Sequence, residues 1–378
     1  MNHRNSTTKK VLVIGPIPPP YGGIATVIDS IINSELREDY SFEIFNRSES
    51  VYDWDKSPFQ NKILKIKRAG SLLKNLWSGE YCLIHLHGST SGFFGDTLVM
   101  LLAFVTGSKV LLHLHGTDWE SFYGSASLFR RIYARIGLSI PYRIVVLYEL
   151  WARNIREIKP GTNVRVIRNF IPDCPKPSKK LLDDLREKLG ISDDEFVISS
   201  IGRVGRRKGS FDIVKATTQM LQETKEFRIL LVGGEENKGE MDSLKKAVED
   251  SQLSNWIILT DEVNVEDVPI FLGISDVFVL PSYREGMPMS IIEAMRSGKP
   301  VVATTVGGIP DMIETGVSGI LVDPGAPNEI ALAILKLKND ESLRRNMGIG
   351  ARKAFEAGFE TSRVVREIRR IYEEMITE

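Results

Sequence analysis

The chain has 378 residues, of which 42% are hydrophobic and 26% are charged, and its 49 basic residues balance its 49 acidic ones. This composition excludes a disordered or collagen-like chain, and its two cysteines cannot form a disulfide framework, so we expect a reducing compartment. No apolar run approaches the ~18 residues of a membrane-spanning helix, and the segment before VLVIG is too short for a signal-peptide core, so we expect a cytoplasmic protein.

Short apolar runs rich in β-branched residues alternate with helical patterns along the chain. In the first half, strands are predicted at residues 11–15, 41–46, 82–88, 110–116, 143–148 and 164–169. In the second half, they are predicted at 196–202, 228–234, 256–261, 277–282, 301–307 and 319–324. Helices are predicted between them, for example at 24–36, 95–106, 209–223, 239–252 and 289–297. Runs that are apolar at successive residues are typical of parallel strands covered by helices on both faces, so we predict an α/β fold with two Rossmann-like, doubly wound domains.

A proline-rich segment, PDCPKPSK at residues 172–179, separates the two halves, because proline continues neither a helix nor a central strand. We therefore predict a first domain over residues 1–172, a linker over 173–180 and a second domain over 181–357. Residues 358–378 contain a final helix with no strand after it, which we expect to pack back on the first domain. Ligands of open α/β sheets bind at the carboxyl ends of the strands, so two facing sheets would place these ends along one cleft.

The first strand leads through PIPPPYGG into a predicted helix. Gly22 and Gly23 lie at the turn, where the lack of a Cβ lets a ligand approach the backbone. A helix start offers free N–H groups and partial positive charge to an anion. The segment therefore predicts either a phosphate-binding loop or a tight turn stiffened by its prolines.

Two sequence features raise the question of a metal site. Asp53-Trp54-Asp55 has the spacing of two carboxylates that hold a metal in some sugar transferases, but it lies in a predicted loop rather than after a buried strand, so we expect no metal there. Four histidines end the predicted strands HLHG and HLHGTD. We interpret three of them, His85, His87 and His113, as satisfied polar residues near a core, and we expect no zinc because no cysteine or carboxylate accompanies them. The fourth, His115, precedes a glycine at a strand tip and is our candidate for a substrate-contacting imidazole.

The segment GRVGRRKG follows a buried strand of the second half and contains four cations within six residues. Such crowding is relieved by a bound anion, since arginine offers a planar fork and lysine a point charge to phosphate oxygens. We expect Arg203 and Lys208 to bind the anion and Arg206 and Arg207 to face solvent. The alternative is a solvated basic loop.

The most specific motif is the segment 277–308, VFVLPSYREGMPMSIIEAMRSGKPVVATTVGG. Glu285 lies in the loop after a strand, and Glu293 lies in the second turn of the next predicted helix. The two carboxylates are therefore expected to reach different parts of one ligand, with hydroxyls as donors, while the N–H groups near Met289 and Ser290 meet a phosphate. The alternative is a capping acid followed by an unrelated surface acid.

Taken together, Gly22-Gly23, Gly202-Arg203 with Lys208-Gly209, and EGMPMSIIEAM followed by VATTVGGIPDMI resemble the retaining glycosyltransferases of family 4. Their order and spacing match from about residue 10 to 357. The resemblance implies the GT-B fold, in which two Rossmann-like domains face each other across a cleft. It also implies a nucleotide-sugar donor and retention of anomeric configuration. Because Arg203, Lys208 and a helix start would supply fixed positive charge to the departing diphosphate, we expect no metal or other cofactor.

The resemblance assigns roles to individual residues. Arg203 and Lys208 would bind the donor diphosphate, with Gly23 covering it from the first domain. Glu285 and His115 would act at the transferred sugar. The remaining assignments are Glu293 at the ribose, Asp261 near the base, and Asn169 as a weaker match where the family often has Asn-Gly.

The acceptor is expected at the first half of the chain. Residues 1–178 carry 22 Lys and Arg against 15 Asp and Glu, a net +7, while residues 179–378 carry 27 against 34, a net −7. Residues 62–77, KILKIKRAGSLLKNLW, mix basic and apolar residues as in helices that lie on anionic bilayers, although an ordinary covering helix gives the same pattern. We therefore expect a saccharide or lipid-linked acceptor of surface or capsular polysaccharide synthesis, peripheral contact with an anionic membrane, and no nucleic acid.

Two other functions fit the same motifs. A nucleotide-sugar epimerase or hydrolase of the same fold would act on the donor without an acceptor. A non-catalytic sugar-nucleotide binding protein would leave the donor unchanged. A dehydrogenase is disfavoured because no GxGxxG follows a strand.

Overall fold

The computed structural model describes residues 9–19, 22–47, 70–78, 80–90, 92–116, 123–124 and 126–378. The chain divides into two compact units, one formed by Met1–Pro172 with Thr361–Glu378 and the other by Asp173–Glu360. Each unit contains a parallel six-stranded sheet with helices between the strands, which confirms the predicted α/β class with two doubly wound sheets.

The sheet of the first unit has the strand order β2-β1-β3-β4-β5-β6. Its strands are β1 (Lys9–Gly15), β2 (Tyr40–Asn46), β3 (Leu83–Ser89), β4 (Val110–His115), β5 (Arg143–Val146) and β6 (Val164–Val166). Its helices include α1 (Gly23–Ile32), α2 (Phe93–Val105), α3 (Leu128–Gly137), α4 (Glu149–Ile158) and, at the end of the chain, α12 (Thr361–Thr377), and residues 70–77 are also helical.

The final helix, α12, packs on the core of the first unit. Its buried residues recur at helical spacing, so that one face of the helix is apolar. They are Val364, Val365, Ile368, Ile371, Tyr372 and Met375, which share a core with Val11 and Val13 of β1 and with Val27 and Ile31 of α1. The helix therefore completes the first unit, although almost 190 residues of the second unit precede it in the sequence.

The sheet of the second unit has the order β12-β11-β10-β7-β8-β9. Its strands are β7 (Phe196–Ile201), β8 (Phe227–Val232), β9 (Ile257–Thr260), β10 (Val277–Leu280), β11 (Val301–Thr304) and β12 (Gly319–Val322). Its helices are α5 (Lys179–Leu189), α6 (Ser210–Met220), α7 (Glu240–Asp250), α8 (Val268–Ile274), α9 (Met289–Arg296), α10 (Pro327–Asn339) and α11 (Glu341–Gly358).

Several strands end earlier than predicted. The apolar run 143–148 contains a strand only over Arg143–Val146, and the run 301–307 only over Val301–Thr304. Leu147 and Tyr148 are nevertheless buried. A run of apolar residues indicates burial and not hydrogen bonding between strands. A buried loop that follows a strand therefore has the same sequence pattern as the strand itself.

None of the described helices has the length and apolar character needed to cross a membrane.

Candidate active site

In the second unit, the loops after β7, β8 and β10 lie side by side at the carboxyl edge of the sheet. The amide of Val204 donates to the carbonyl of Gly234 at 2.8 Å, and the amide of Glu236 donates to the carbonyl of Val204 at 2.9 Å. The amide of Tyr283 donates to the carbonyl of Arg207, also at 2.8 Å. These backbone bonds bring the predicted cationic segment next to the predicted acidic one.

Two glycines allow this close approach. Gly209 has a φ of +74°, and a Cβ there would lie 2.0 Å from the carbonyl oxygen of Pro281. Gly307 has a φ of +57°, and a Cβ there would lie 1.8 Å from the carbonyl oxygen of Glu285. No other residue type fits either position without moving the backbone, so Gly209 lets the loop after β7, and Gly307 the loop after β11, approach the loop after β10.

Lys208 and Glu285 form an ion pair at this edge. Lys208 Nζ lies 2.7 Å from Glu285 Oε1, which also accepts a hydrogen bond from Ser282 Oγ at 2.8 Å. The Glu285 residue is only 6% exposed. Both bonds go to Oε1, and the lysine ammonium has three donors. Within the described part of the chain, Oε2 of Glu285 and two N–H donors of Lys208 have no other partner, so a ligand can bind them.

The prediction that Arg207 faces solvent is wrong. Its guanidinium donates to Glu236 Oε1 at 2.6 Å and to the carbonyl oxygen of Arg284 at 2.7 Å. It also lies 3.7 Å from Glu285 Oε1. The planar fork of arginine suits such a bridging position, which ties the loop after β8 to the loop after β10. Arg206 is exposed, as predicted, and stacks over the ring of Phe211.

Arg203 lies on the same edge of the sheet and is exposed. Its Nη1 makes one long contact of 3.4 Å with the carbonyl oxygen of Glu235. An exposed guanidinium with a single weak contact keeps most of its donors free for an anion.

The helix α9 begins directly after the Glu285 loop. Its cap is Pro288, no described side chain caps it, and its first turn contains no acid. Met289 and Ser290, the first two residues of the helix, are half-buried. Free N–H groups at an uncapped helix start attract an anion.

Glu293 lies one turn further along α9 and is partly buried. Burial raises its pKa to about 7, and the positive charge of Arg296 opposes this only in part. Burial of an ionised carboxylate destabilises the fold, and carboxyl groups with such raised pKa values are common at ligand-binding sites. We therefore expect Glu293 to bind a ligand and not to stabilise the unit.

Replacing Glu293 by Gln is expected to stabilise the second unit at pH 8 by about 1–3 kcal/mol. The folded state holds a proton up to about pH 7, whereas the unfolded state loses it near ~4.5, so the native carboxylate loses stability as the pH rises through this window. Urea unfolding at pH 5 and pH 8 measures the difference, which should be small at pH 5. The exposed Glu249→Gln on α7 is the control, and equal effects at both pH values would contradict the assignment.

In the first unit, Gly22 caps the start of α1 with an extended backbone, φ −165°. A Cβ on Gly22 would meet no atom within 4 Å, and both Gly22 and Gly23 are exposed. The first turn of α1 has no acid, and no described side chain caps it. Packing within the unit therefore does not require glycine at position 22, and the helix start is open to a ligand.

The four histidines of β3 and β4 form one stacked row. The two strands pair with His87 opposite His113, and all four rings lie on the same face of the sheet. His85 Nδ1 lies 2.7 Å from the hydroxyl of Tyr372, and its Nε2 lies 3.3 Å from His113 Nδ1. His87 Nδ1 lies 2.9 Å from His115 Nε2. Burial lowers the pKa of His85 and of His115 to about 3, and the pKa values of the other two lie well below the usual value, so the row is neutral.

Two expectations about this row need correction. His87 and His113 are not fully satisfied, because the Nε2 atom of each is buried without a partner among the described residues. His115 does not stand open at a strand tip, because it is only 3% exposed.

The row is also the metal-ligand candidate that the described residues contain. The ring nitrogens of His85, His87 and His113 lie within 4.8 Å of one another. A tetrahedral zinc would need separations of about 3.3 Å between its nitrogen ligands, and His85 Nε2 and His113 Nδ1 lie 3.3 Å apart. The absence of a metal site stays a prediction.

Two of the remaining predicted residues also follow strands. Asn169 is buried after β6, and Asp261 is exposed after β9. Asp53-Trp54-Asp55 and residues 62–69 of the basic segment lie outside the described residues. Sequence reasoning missed Ser282 and Glu236, although the three-residue spacing of Ser282 and Glu285 is a detectable signal of contact within a tight loop.

This chain is similar to several known glycosyltransferases. Residues 183–354 match the family of glycosyl transferases group 1. The N-acetyl-alpha-D-glucosaminyl L-malate synthase of Bacillus anthracis is 28% identical over 269 residues, which cover 71% of this chain and 68% of that protein. The capsular polysaccharide biosynthesis glycosyltransferase CapM of Staphylococcus aureus is 30% identical over 191 residues, 49% of this chain and 48% of that protein. The solved structure of Anabaena HepE in complex with UDP has a similar fold, with a TM-score of 0.79 at 18% identity over 97% of this chain and 100% of that chain.

Proposed function

We propose that this chain is a group 1 glycosyltransferase with the GT-B fold, which transfers a sugar from a UDP- or GDP-sugar to a hydroxyl of a saccharide or lipid-linked acceptor. The proposal includes retention of anomeric configuration, as in family 4, and a reaction without metal or other cofactor. The observation that supports it most is the pairing of Lys208 with Glu285 at 2.7 Å beside the uncapped start of α9.

The proposed reaction breaks the bond between the anomeric carbon and the diphosphate oxygen and forms a bond from that carbon to the acceptor oxygen. The diphosphate leaves with the bonding electrons, and one of its oxygens takes the acceptor proton. Negative charge therefore grows on the leaving group while the sugar becomes cation-like. Lys208, Arg203 and the N–H groups at Met289 and Ser290 supply preorganised positive charge for the leaving group.

The acidic groups have separate roles in this proposal. Glu285 presents Oε2 to the transferred sugar, and Glu293 accepts hydrogen bonds from the ribose hydroxyls. Asp261 lies near the base. In the first unit, the helix start at Gly22 and Gly23 would offer N–H groups to a phosphate, and His115, although it is buried, would contact the sugar.

Replacing Lys208 by Met is expected to weaken binding of a nucleoside diphosphate about 10- to 100-fold, the usual effect of losing a charged hydrogen bond. Nucleoside binding should change less than about twofold, because the lost charge faces phosphate and not base. Calorimetric titration with UDP, GDP and the matching nucleosides measures both. Arg206→Ala removes an adjacent exposed charge and serves as control; equal losses for nucleoside and diphosphate would contradict the role of Lys208.

Activity is expected to stay within about twofold of its normal value in excess chelator, because fixed cations and helix N–H groups can supply the charge that a divalent ion would supply. The measurement compares turnover of one preparation without EDTA, with EDTA, and with EDTA followed by added magnesium. A loss that magnesium restores would show that the reaction needs a metal.

The acceptor proposal rests on the similarity to a capsular polysaccharide enzyme and on the basic first half of the chain. We propose an acceptor in surface polysaccharide synthesis and a peripheral location on the cytoplasmic face of the membrane, without nucleic acid. Anionic lipid would attract a first half with a net charge of +7.

The function is tested by incubating UDP- and GDP-sugars with the protein, with and without a panel of alkyl glycosides as acceptors. A transferase releases nucleotide faster with an acceptor and yields a new glycoside, whose anomeric configuration by NMR should match that of the donor. Nucleotide release or sugar conversion that needs no acceptor would instead identify a hydrolase or epimerase. Tight binding of an unchanged donor would identify a binding protein.

A further inference from the structure

Two neighbouring helices of the first unit expose an unusual amount of apolar side chain. On α2, Phe94, Leu98, Leu101 and Val105 recur every three or four residues and form one stripe, next to which Phe104 is 70% exposed. Such a stripe normally faces a core. Here the opposite face of α2 packs on the sheet, so the stripe is a second apolar face.

The helix α3 repeats this arrangement. Leu128 and Phe129 are 76% and 78% exposed, and Ile132 and Ile136 continue the exposed face one and two turns later. The buried residues of α3 are only the small Ala134 and Gly137. Most of the apolar surface of this helix therefore points away from the protein.

The two exposed faces adjoin each other. The hydroxyl of Tyr133 donates to the carbonyl oxygen of Phe94 at 3.0 Å, and the two rings lie 4.6 Å apart. A Cβ on Gly137 would lie 2.7 Å from Thr97 Oγ1, so the helices touch closely. Right-handed crossovers place both helices on the same face of the sheet. We call the combined exposed residues the α2–α3 surface.

The charges around this surface are positive. Arg130, Arg131 and Arg135 are exposed on α3, which has no acid. The acid of α2, Asp96, is buried and pairs with Arg47. Among the described residues, no carboxylate pairs with Arg130 or Arg135. An exposed apolar face flanked by unpaired arginines is complementary to lipid tails below anionic headgroups.

We propose that the α2–α3 surface docks on an anionic bilayer, with Leu128 and Phe129 entering the headgroup region. This inference rests on the proposed function, since an enzyme that uses a lipid-linked acceptor must meet its substrate at a membrane. It assigns the contact to α2 and α3 instead of residues 62–77. Docking of a second copy is disfavoured, because a symmetric contact would bring the arginines of α3 towards those of its partner.

The test is flotation of the full chain with vesicles of phosphatidylcholine, with and without phosphatidylglycerol. We expect binding to the anionic vesicles that weakens with salt. Leu128→Ser with Phe129→Ser should lower the partition coefficient about tenfold or more, because two large side chains no longer leave water. Arg130→Glu with Arg135→Glu should remove the preference for anionic lipid.

Leu332→Ser is the matched control, because it removes an exposed leucine from α10 of the second unit and should leave binding unchanged. The variants should keep the affinity for nucleotide diphosphate and turnover of a soluble glycoside, which separates membrane docking from the proposed reaction. A wild-type chain that turns over a soluble acceptor but does not float would overturn this inference alone. Equal loss in the control, or a dimer in light scattering that the α3 variants abolish, would also overturn it.

Discussion

Replacing Glu285 by Gln is expected to lower kcat about 100-fold, a loss of ~2.7 kcal/mol of transition-state stabilisation. The amide keeps the shape and one acceptor oxygen, so Lys208 and Ser282 retain a hydrogen-bonding partner. The variant removes the negative charge beside the position proposed for a sugar that becomes cation-like. Because this interaction strengthens only as the reaction proceeds, kcat should fall more than KM changes.

The measurement is steady-state turnover with donor in excess, accompanied by thermal unfolding. A control is needed because Lys208 is only 17% exposed at its side chain and loses a charged partner in the variant, which lowers stability. Glu262→Gln removes an exposed carboxylate at the same edge of the sheet and should leave kcat unchanged. Near-normal turnover of a folded Glu285→Gln protein would remove Glu285 from the mechanism.

Lowering the pH from about 7.5 to about 5.5 is expected to reduce the free energy of unfolding of the first unit by about 5 kcal/mol. The four stacked histidines are neutral in the folded state, with pKa values of about 3 for His85 and His115. The unfolded chain binds these protons near pH ~6.5, so it takes up more protons than the folded chain as the pH falls. A loss of this size is comparable with the total stability of a domain, about 5–15 kcal/mol.

Urea unfolding at a series of pH values measures this loss, which should be absent between pH 7.5 and 8.5. As the pH falls, amide hydrogen exchange should accelerate first in β3 and β4, which contain the four histidines. The second unit should be unaffected, because no histidine occurs between residues 173 and 360. His113→Gln should reduce the slope of the free energy of unfolding against pH by about a quarter, because one of the four titrating histidines is removed. Tyr372→Phe lowers stability but removes no titrating histidine, so it should keep the slope. A pH-independent stability over this range would show that the histidines are not buried as a neutral row.

The elements of both sheets could be predicted because each carries its signal locally. Each of the twelve predicted strands overlaps a strand of the structure, and Val11 to Ile14 show why, since four successive apolar residues are all fully buried. The ends of the elements were less predictable. The predicted helix 24–36 ends at Ile32, where Ser34 bonds to the amide of Leu36 and begins a short 3-10 turn, and no apolar period marks such a cap.

The candidate site could be predicted in position but not in pairing. Lys208 and Glu285 were both expected after strands, but they are separated by 77 positions in the sequence, so no local pattern indicates their contact. Arg207 was expected to face solvent, whereas it pairs with Glu236, which comes from a different loop. Which loops meet depends on strand order, and strand order is not a local property of the sequence.

The sequence by itself determined the alternation of strands and helices, the division into two sheets, and the placement of chemically active residues after strands. Each depends on hydrophobic period or on residue type within a short segment, where local physics is sufficient. Only the tertiary structure decided that four histidines from β3 and β4 stack into one neutral row, and that the apolar faces of α2 and α3 stay exposed. An apolar stripe has the same sequence whether a core, a membrane or water lies against it, so burial is decided by the packing of elements distant in the chain.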